Sequence, residues 1–378
     1  MKIATIARLT YTPGELEYFQ FIRGGVGTDN HQEPEFHQYP DGDVLMYWNA
    51  YDFDECSNNC VKLYSVSHDR GETWSEPEIF MADFLGGVPY FVKMLALRGT
   101  REVLMLVEHV FRHAPGAGIT VDKSRRVATA HADYFKQRSR IVIQRSADGG
   151  RTFDHGLVWD GVTGLNELRQ LQSGRVVAAF CFMDPECSDA EKKIQHYTLV
   201  ALFSDDGGRT WTRSNEITVE SPRGAMECQI AETEPDRLLC LFRTKAGYVH
   251  QSVSEDGGRT WGPAEPTTLP SPESMVRMLR LQSGNLLVVW NNVSSTTQQP
   301  RHPLSAVLSK DGGRTWGALK VIADEIGGNQ LSNHGLIQLD DGRILLGINH
   351  YRDVRPMTSD LDIAIFDENW LANSNGRS

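Results

Sequence analysis

The sequence predicts an all-β protein, a six-bladed β-propeller of four-stranded antiparallel sheets, and three observations carry that expectation. A box of the pattern Ser-x-Asp-x-Gly-x-Thr-aromatic recurs five times, at Ser67 to Trp74, Ser146 to Phe153, Ser204 to Trp211, Ser254 to Trp261 and Ser309 to Trp316. Its aspartates, at 69, 148, 206, 256 and 311, are separated by 79, 58, 50 and 55 residues, the length of one small four-stranded sheet with its turns. A second turn signal, a Gly or Asp ahead of a β-rich apolar run, occurs six times: Gly42 before Val44, Gly99 before Val103, Gly174 before Val176, Asp236 before Leu238, Gly284 before Leu286 and Gly342 before Ile344. Six turns imply six blades, the sixth without a box.

Taken in chain order, Met1 to Arg8 holds an early cation but no apolar stretch long enough for a secretion signal, and reads as a first strand. Runs such as Val44-Leu45-Met46-Tyr47-Trp48 and Leu286-Leu287-Val288-Val289-Trp290 alternate with Gly, Asp and Ser clusters, with no long helical period between them. Each box is mechanical: Asp accepts backbone N–H bonds across a hairpin, Gly takes φ above zero, and Thr and the aromatic ring pin the turn. Those acceptors are consumed locally, so neither catalysis nor calcium binding is expected of the box aspartates. The 79-residue interval contains a polar insertion at about 111–140, carrying His113, Arg125, Arg126, His131, Tyr134 and Arg138, of the kind that forms a functional loop over an active-site face. Closure of the ring falls to a terminal strand, with Ile3 to Leu9 expected to meet Ile363 to Phe366. Residues 1–378 then form a single domain without a linker.

Acidic residues number 49 and basic ones 38, a formal charge of −11, the wrong sign for broad attraction to nucleic acid or an anionic membrane. An anionic ligand has to be captured locally. The longest unbroken apolar run, Val176 to Met183, is far too short to span a bilayer, so no membrane insertion is expected. Six cysteines, at 56, 60, 181, 187, 228 and 240, show no CxxC spacing. Reduced thiols in a cytoplasmic protein are the expectation, with a Cys56–Cys60 loop closure in a secreted or periplasmic protein as the alternative had a leader been removed. The one His-x-x-x-His spacing, His109 to His113, stands alone; no metal and no cofactor are expected. Nothing in the sequence specifies an oligomer.

Five boxes on six turns resemble the sialidase superfamily, whose box-bearing propellers have six blades, and the resemblance covers essentially the whole chain. In a propeller the first strand of each blade lines the axis, so residues about 8 to 10 before each turn converge on one end of the channel. These are Gln32-Glu33-Pro34, Pro89-Tyr90, Leu165-Asn166-Glu167, Met226-Glu227, Ser274-Met275 and Asn333-His334. The family's site clamps a carboxylate with three arginines, uses a Tyr activated by a Glu as nucleophile, and places an Asp acid/base on a first-blade loop. By that resemblance Glu227 corresponds to the activating Glu, Arg243 to the second arginine, Arg301 to the third, and Asp54 or Glu55 to the acid/base. A planar guanidinium fork suits a carboxylate.

Two positions depart from the family. Gln32-Glu33-Pro34 stands where it has Arg-Ile-Pro, and Asn333, with His334 next, stands where it has the tyrosine. An Asn cannot replace a phenolate, so a tyrosine mechanism requires a relocated hydroxyl, for which Tyr351 in the following strand is the candidate. His334 at the axis and His131 in the insertion are candidates for proton transfer.

The expected function is therefore an exo-acting glycoside hydrolase cleaving a terminal acidic or highly oxygenated sugar, with Asp54 or Glu55 as acid/base and Glu227 as base, nucleophile or activator. Gln32, Glu33, Glu167 and Asn333 join Arg243, Arg301 and His131 as candidate sugar-binding residues. Three alternatives share the scaffold. Resemblance to exo-arabinanases pairs Glu167 with Glu227. A lyase would use His334 or Tyr351 to remove a proton beside a uronic carboxylate neutralised by Arg243 and Arg301. The third is a non-catalytic glycan-binding propeller.

Overall fold

The apolar runs of the sequence become strands with both faces buried. In the run at 176–183, Val177, Ala179 and Cys181 enter one core while Val176, Ala178 and Phe180 enter another, as a side-chain period of two requires. The computed structural model describes residues 9–25, 28–52, 60–82, 88–110, 119–122, 127–130, 139–154, 156–160, 164–183, 196–324, 330–354 and 357–373. They fall into two compact units. The first comprises Met1–Ala82, Arg277–Val293 and Gln298–Ser378, the second Asp83–Val276 and Ser294–Thr297.

In chain order the first unit opens with β1 (Glu17–Ile22), β2 (Asn30–Gln38), β3 (Val44–Tyr51), β4 (Val61–Ser67) and β5 (Glu78–Met81). The second unit holds β6 (Val88–Ala96), β7 (Val103–Val110), β8 (Ile119–Asp122), β9 (Val127–Ala130), β10 (Ser139–Ser146) and β11 (Leu157–Asp160). It continues with β12 (Leu165–Gln170), β13 (Val176–Met183), β14 (Tyr197–Ser204), β15 (Thr212–Ile217), β16 (Met226–Glu234), β17 (Arg237–Arg243), β18 (Tyr248–Ser254) and β19 (Glu265–Pro270). The first unit resumes with β20 (Arg277–Arg280), β21 (Leu286–Asn291), β22 (Leu304–Ser309), β23 (Lys320–Ala323), β24 (Gln330–Gln338), β25 (Ile344–Val354), β26 (Met357–Phe366) and the short helix α1 (Glu368–Ala372).

Four antiparallel sheets of four strands are separate: β11-β10-β7-β6, β12 to β15, β16 to β19, and β20 to β23. Eight further strands form one sheet, β24-β25-β26-β2-β3-β4-β5 with β1 beside β26, and β8 and β9 pair as a two-stranded sheet. The two halves of the eight-stranded sheet meet at one parallel pairing, Asn30 with Ser359, where the Ser359 hydroxyl also accepts from the backbone N–H of His31 at 3.1 Å. Six separate sheets were the expectation; four are observed, because this edge-to-edge pairing fuses the other eight strands.

Closure is also made by a different segment. Ile3 to Arg8 lie outside the described residues, and the strand that pairs with β26 is β1, Glu17 facing Ile365 and Phe19 facing Ile363. Tyr18 fixes this register by donating to Asp362 at 2.6 Å. Of the insertion at about 111–140, the described parts are β8 and β9, which pair antiparallel, and the first two residues of β10.

Among the described residues each unit has two cores, three of them between neighbouring sheets and one between the two halves of the eight-stranded sheet. In the second unit Leu104, Leu106 and Ile141 pack on Leu168, Ala178 and Phe180, and Val177, Leu199 and Phe203 pack on Ile230, Leu238 and Trp261. In the first, Trp48 and Trp74 meet Leu345 and Ile363, while Leu287 and Val289 meet Leu346 and Phe366. The boxes staple the outer hairpins to these cores. In the first box Ser67 donates to Asp69 at 2.8 Å, Asp69 accepts from the Thr73 N–H at 2.7 Å, and Trp74 donates to the Gly71 carbonyl at 3.1 Å. The serine and threonine bonds recur at Asp148, Asp206, Asp256 and Asp311, and the tryptophan bond at Trp211. Donated hydrogen bonds hold these carboxyls below the usual range; the Thr315 hydroxyl brings Asp311 down to about 2.

Among the described residues no helix is long and apolar enough to cross a membrane, and no group of three His, Cys, Asp or Glu side chains is placed to hold a metal.

Candidate functional site

A β-bulge interrupts the first strand of five of the predicted blades at the positions expected to face the axis. The register shifts lie between Gln32 and Glu35 of β2, Pro89 and Val92 of β6, Leu165 and Glu167 of β12, Met226 and Gln229 of β16, and Ser332 and Gly335 of β24. At three of them a residue other than glycine takes the left-handed conformation: Glu33 at φ 55°, Glu227 at φ 44° and Asn333 at φ 47°. Such strain costs on the order of 1–3 kcal/mol per residue and clusters at functional sites, where bulges re-aim side chains.

In the second unit the bulge on β16 directs Glu227 to Arg243 at the end of β17, with Oε2 accepting from Nη1 at 2.8 Å. The register that pairs Met226 with Arg243 makes them neighbours. Asn166 of β12 holds the bulge by accepting from the backbone N–H of Cys228 at 3.4 Å. Behind the pair lies Glu273, whose side chain is 2% exposed, with Arg243 Nη2 at 3.5 Å and Lys245 Nζ at 4.0 Å. Arg223 donates to the same Glu273 oxygen that faces Arg243. Burial alone would lower the pKa of Arg243, but Glu227 and Glu273 outweigh it and raise that pKa. Glu227, at 22% side-chain exposure, is the open end of the chain of charges and Arg243, at 7%, its buried support. This arrangement presents a carboxylate of fixed direction to a ligand.

In the first unit polar side chains gather at the bulges of β2 and β24. The Glu33 N–H donates to Asn349 Oδ1 at 2.8 Å, and Asn49 donates to Glu33 Oε2 at 2.7 Å and to the Tyr51 hydroxyl at 3.1 Å. Asn333 donates to the Tyr351 hydroxyl at 3.3 Å, so the phenol sits against the very position where the family has its tyrosine. Arg301 donates to Ser332 at 3.1 Å, next to Asn333. The two bulges are held together by the absence of a side chain at Gly335, where a Cβ would lie 1.8 Å from the Pro34 carbonyl. Gln32 is fully buried.

The remaining expectations fare differently. Asp54, Glu55 and His131 lie outside the described residues. His334 is not exposed at the axis: it is fully buried, its Nε2 lies 3.0 Å from the Val289 carbonyl, and Arg277 donates to its carbonyl. Burial, with Arg277 adding to it, lowers its pKa to about 3, so the imidazole is neutral and structural rather than a proton carrier. Glu167 is spent on its own strand, accepting from the Leu168 N–H at 2.9 Å and from Arg169 at 3.0 Å.

Sequence reasoning missed Asn49, Asn349, Arg223, Lys245 and Glu273. A signal for the first two was present. Asn49, Arg243, Asn291 and Asn349 each fall seven residues after a turn residue, Gly42, Asp236, Gly284 and Gly342 respectively. Arg223 and Glu273 flank blade openings and carry no periodic mark.

Residues 136–346, more than half of the chain, match the BNR repeat-like domain family. No curated protein matches the sequence. Among solved structures, the NanB sialidase from Streptococcus pneumoniae, in complex with a chlorobenzyl-ammonio ethanesulfonate, superposes with a TM-score of 0.65 at 15% identity, over 93% of this chain and 70% of that one. The intramolecular trans-sialidase from Ruminococcus gnavus, in complex with oseltamivir carboxylate, gives 0.64 at 15% identity, over 94% and 98%. A protein of unknown function from Dyadobacter fermentans gives 0.68 at 17% identity, over 94% and 100%. At these identities the likeness is one of fold, the all-β, propeller-like arrangement of four-stranded sheets. On the family match, the chain belongs to the BNR repeat-like domain family.

Proposed function

We propose that this chain is an exo-acting glycoside hydrolase that cleaves a terminal acidic or highly oxygenated sugar from a glycan. The observation that carries the reading is the Glu227–Arg243 pair: a carboxylate lifted out of its strand by a strained bulge and held at 2.8 Å by a buried guanidinium. Strain of that kind persists where function requires it. Glu227 acts as base, nucleophile or activator, and Asp54 or Glu55 as acid/base. Tyr351, oriented by Asn333, supplies the hydroxyl that Asn333 itself lacks. Arg243 and Arg301 are the cationic groups for an acidic substituent.

The proposed scaffold is one six-bladed domain spanning residues 1–378. Strands β2 to β5 count as one blade and β24 to β26 with β1 as another. The match to the Dyadobacter fermentans protein over its whole length supports a single domain.

Turnover of aryl sialosides, uronides, rhamnosides and arabinosides by the purified protein tests the reading, with the product anomer followed by NMR. Turnover of at least one acidic member is expected. Retention of the anomer would imply carboxyls about 5–5.5 Å apart and inversion about 6.5–9.5 Å. Saturable glycan binding with no turnover on any member would replace hydrolysis with a non-catalytic glycan-binding role.

A further inference from the structure

Two of the left-handed bulge residues have their backbone N–H taken by the same position of another strand, the seventh residue after a turn glycine. Asn349, seven after Gly342, accepts from the Glu33 N–H at 2.8 Å. Cys181, seven after Gly174, takes a backbone hydrogen bond from Glu227. Asn291, seven after Gly284, reaches the strand of the third bulge residue, Asn333, but makes only half of the arrangement. Its Nδ2 donates to the Leu331 carbonyl at 2.8 Å, while its Oδ1 is buried without a hydrogen-bond partner among the described residues.

The clamp made by Asn349 is complete. Its Oδ1 takes the N–H that follows Gln32, and its Nδ2 donates to the carbonyl that precedes Gln32, that of His31, at 2.7 Å. One fully buried side chain thus supplies the two bonds that a neighbouring parallel strand would make. His31 is a fixed anchor for it. Trp48 donates to its Nδ1 at 3.1 Å, its Nε2 lies 3.0 Å from the Thr28 hydroxyl, and its N–H donates to Ser359 Oγ at 3.1 Å. Burial lowers the His31 pKa to about 3, so the ring stays neutral and Nε2 carries the proton toward Thr28. With one end anchored, the other end sets the peptide ahead of Glu33 and hence its φ of 55°. The tip of that side chain is held as well, by Asn49 donating to Oε2 at 2.7 Å. A carboxylate directed from both its backbone and its tip is preorganised to accept from sugar hydroxyls.

We propose that Asn349 is a positioning residue of the sugar site: by clamping the backbone on either side of Gln32, it presents the Glu33 carboxylate to hydroxyl groups of the bound sugar. The sugar contact rests on the glycan reading given above; the hold on the backbone does not.

A crystal structure of Asn349→Leu, close to the parent in volume but without polar atoms, reads the hold on the backbone with no ligand present. Residue 33 is expected to leave the left-handed region, and an unchanged φ would overturn the proposal. Asn291→Leu is the control, expected to lower thermal stability comparably and to leave Glu33 in place; an equal shift of Glu33 there would also overturn it. Asn349→Ser, whose hydroxyl is too short to span both bonds, takes the place of the leucine variant if that does not fold. Calorimetric titration with the methyl glycosides of glucuronate, N-acetylneuraminate, rhamnose and arabinose reads the sugar contact. For the glycoside that the parent binds best, Asn349→Leu and Glu33→Ala are each expected to weaken binding about tenfold, the effect of one charge-assisted hydrogen bond. In the double variant the second substitution is expected to add less than about twofold, because the group it positions is gone. A residue that only stabilises the fold would multiply the two losses, and that result would overturn the positioning role. Binding of none of the four by the parent would overturn the glycan reading and the sugar contact with it, whereas a left-handed Glu33 in the leucine variant overturns the clamp alone.

Discussion

Glu227→Gln is expected to lower kcat/KM on the best acidic glycoside by about 100-fold or more, the size of effect that general acid–base groups supply. The substitution keeps the shape of the side chain and a carbonyl oxygen for Arg243, while removing the charge that the bulge presents. Because Glu273 still faces Arg243 at 3.5 Å, the guanidinium keeps an anionic partner and the fold is expected to survive. Thermal unfolding should move by a few degrees at most, and steady-state kinetics should carry the whole effect. A variant with unchanged kcat/KM would remove Glu227 from the chemistry.

Arg243→Met should do the opposite, acting first on stability. Its side chain is 7% exposed and faces two carboxylates, one of them at 2% exposure. Removing one member of a buried ion pair costs about 3–5 kcal/mol, because the other charge is left without compensation. Arg223 and Lys245 remain near Glu273, which places the expected loss at the lower end, about 3 kcal/mol by urea unfolding. Adding Glu273→Gln should return part of that loss, since the uncompensated charge then disappears. A single variant within about 1 kcal/mol of the parent would show that the ion pair is not buried as described.

What the sequence made legible follows from what repeats. Box residues such as Ser67, Asp69 and Thr73 bond to one another within a few residues, so their geometry is written locally. The first-strand positions were found from their distance to the turn, and the structure places a bulge at Glu33, Glu227 and Asn333. The bulge is also why the next residue could not be assigned. An extra residue in one strand breaks the two-residue alternation on which facing is counted. His334 thereby turns inward to the Val289 carbonyl while its neighbour Asn333 reaches Tyr351.

Closure and charge compensation depend on partners far apart in sequence. β1 at Glu17–Ile22 alternates as convincingly as the stretch before it. What selects β1 is Tyr18 reaching Asp362, 344 residues away. Glu273 is likewise a lone acidic residue in the sequence, and only the fold shows it beneath Arg223, Arg243 and Lys245. The fusion of β2 with β26 through Asn30 and Ser359 is a single pairing between distant segments, with no periodic trace to find.

The most direct test is a crystal structure of the Glu227→Gln variant soaked with the acidic sugar that the parent protein turns over or binds best. The account predicts the sugar within about 2.6–3.2 Å of residue 227 and of Arg243, with its reacting carbon facing the bulge on β16. A sugar bound elsewhere, with residue 227 and Arg243 still engaged only with each other, would contradict it.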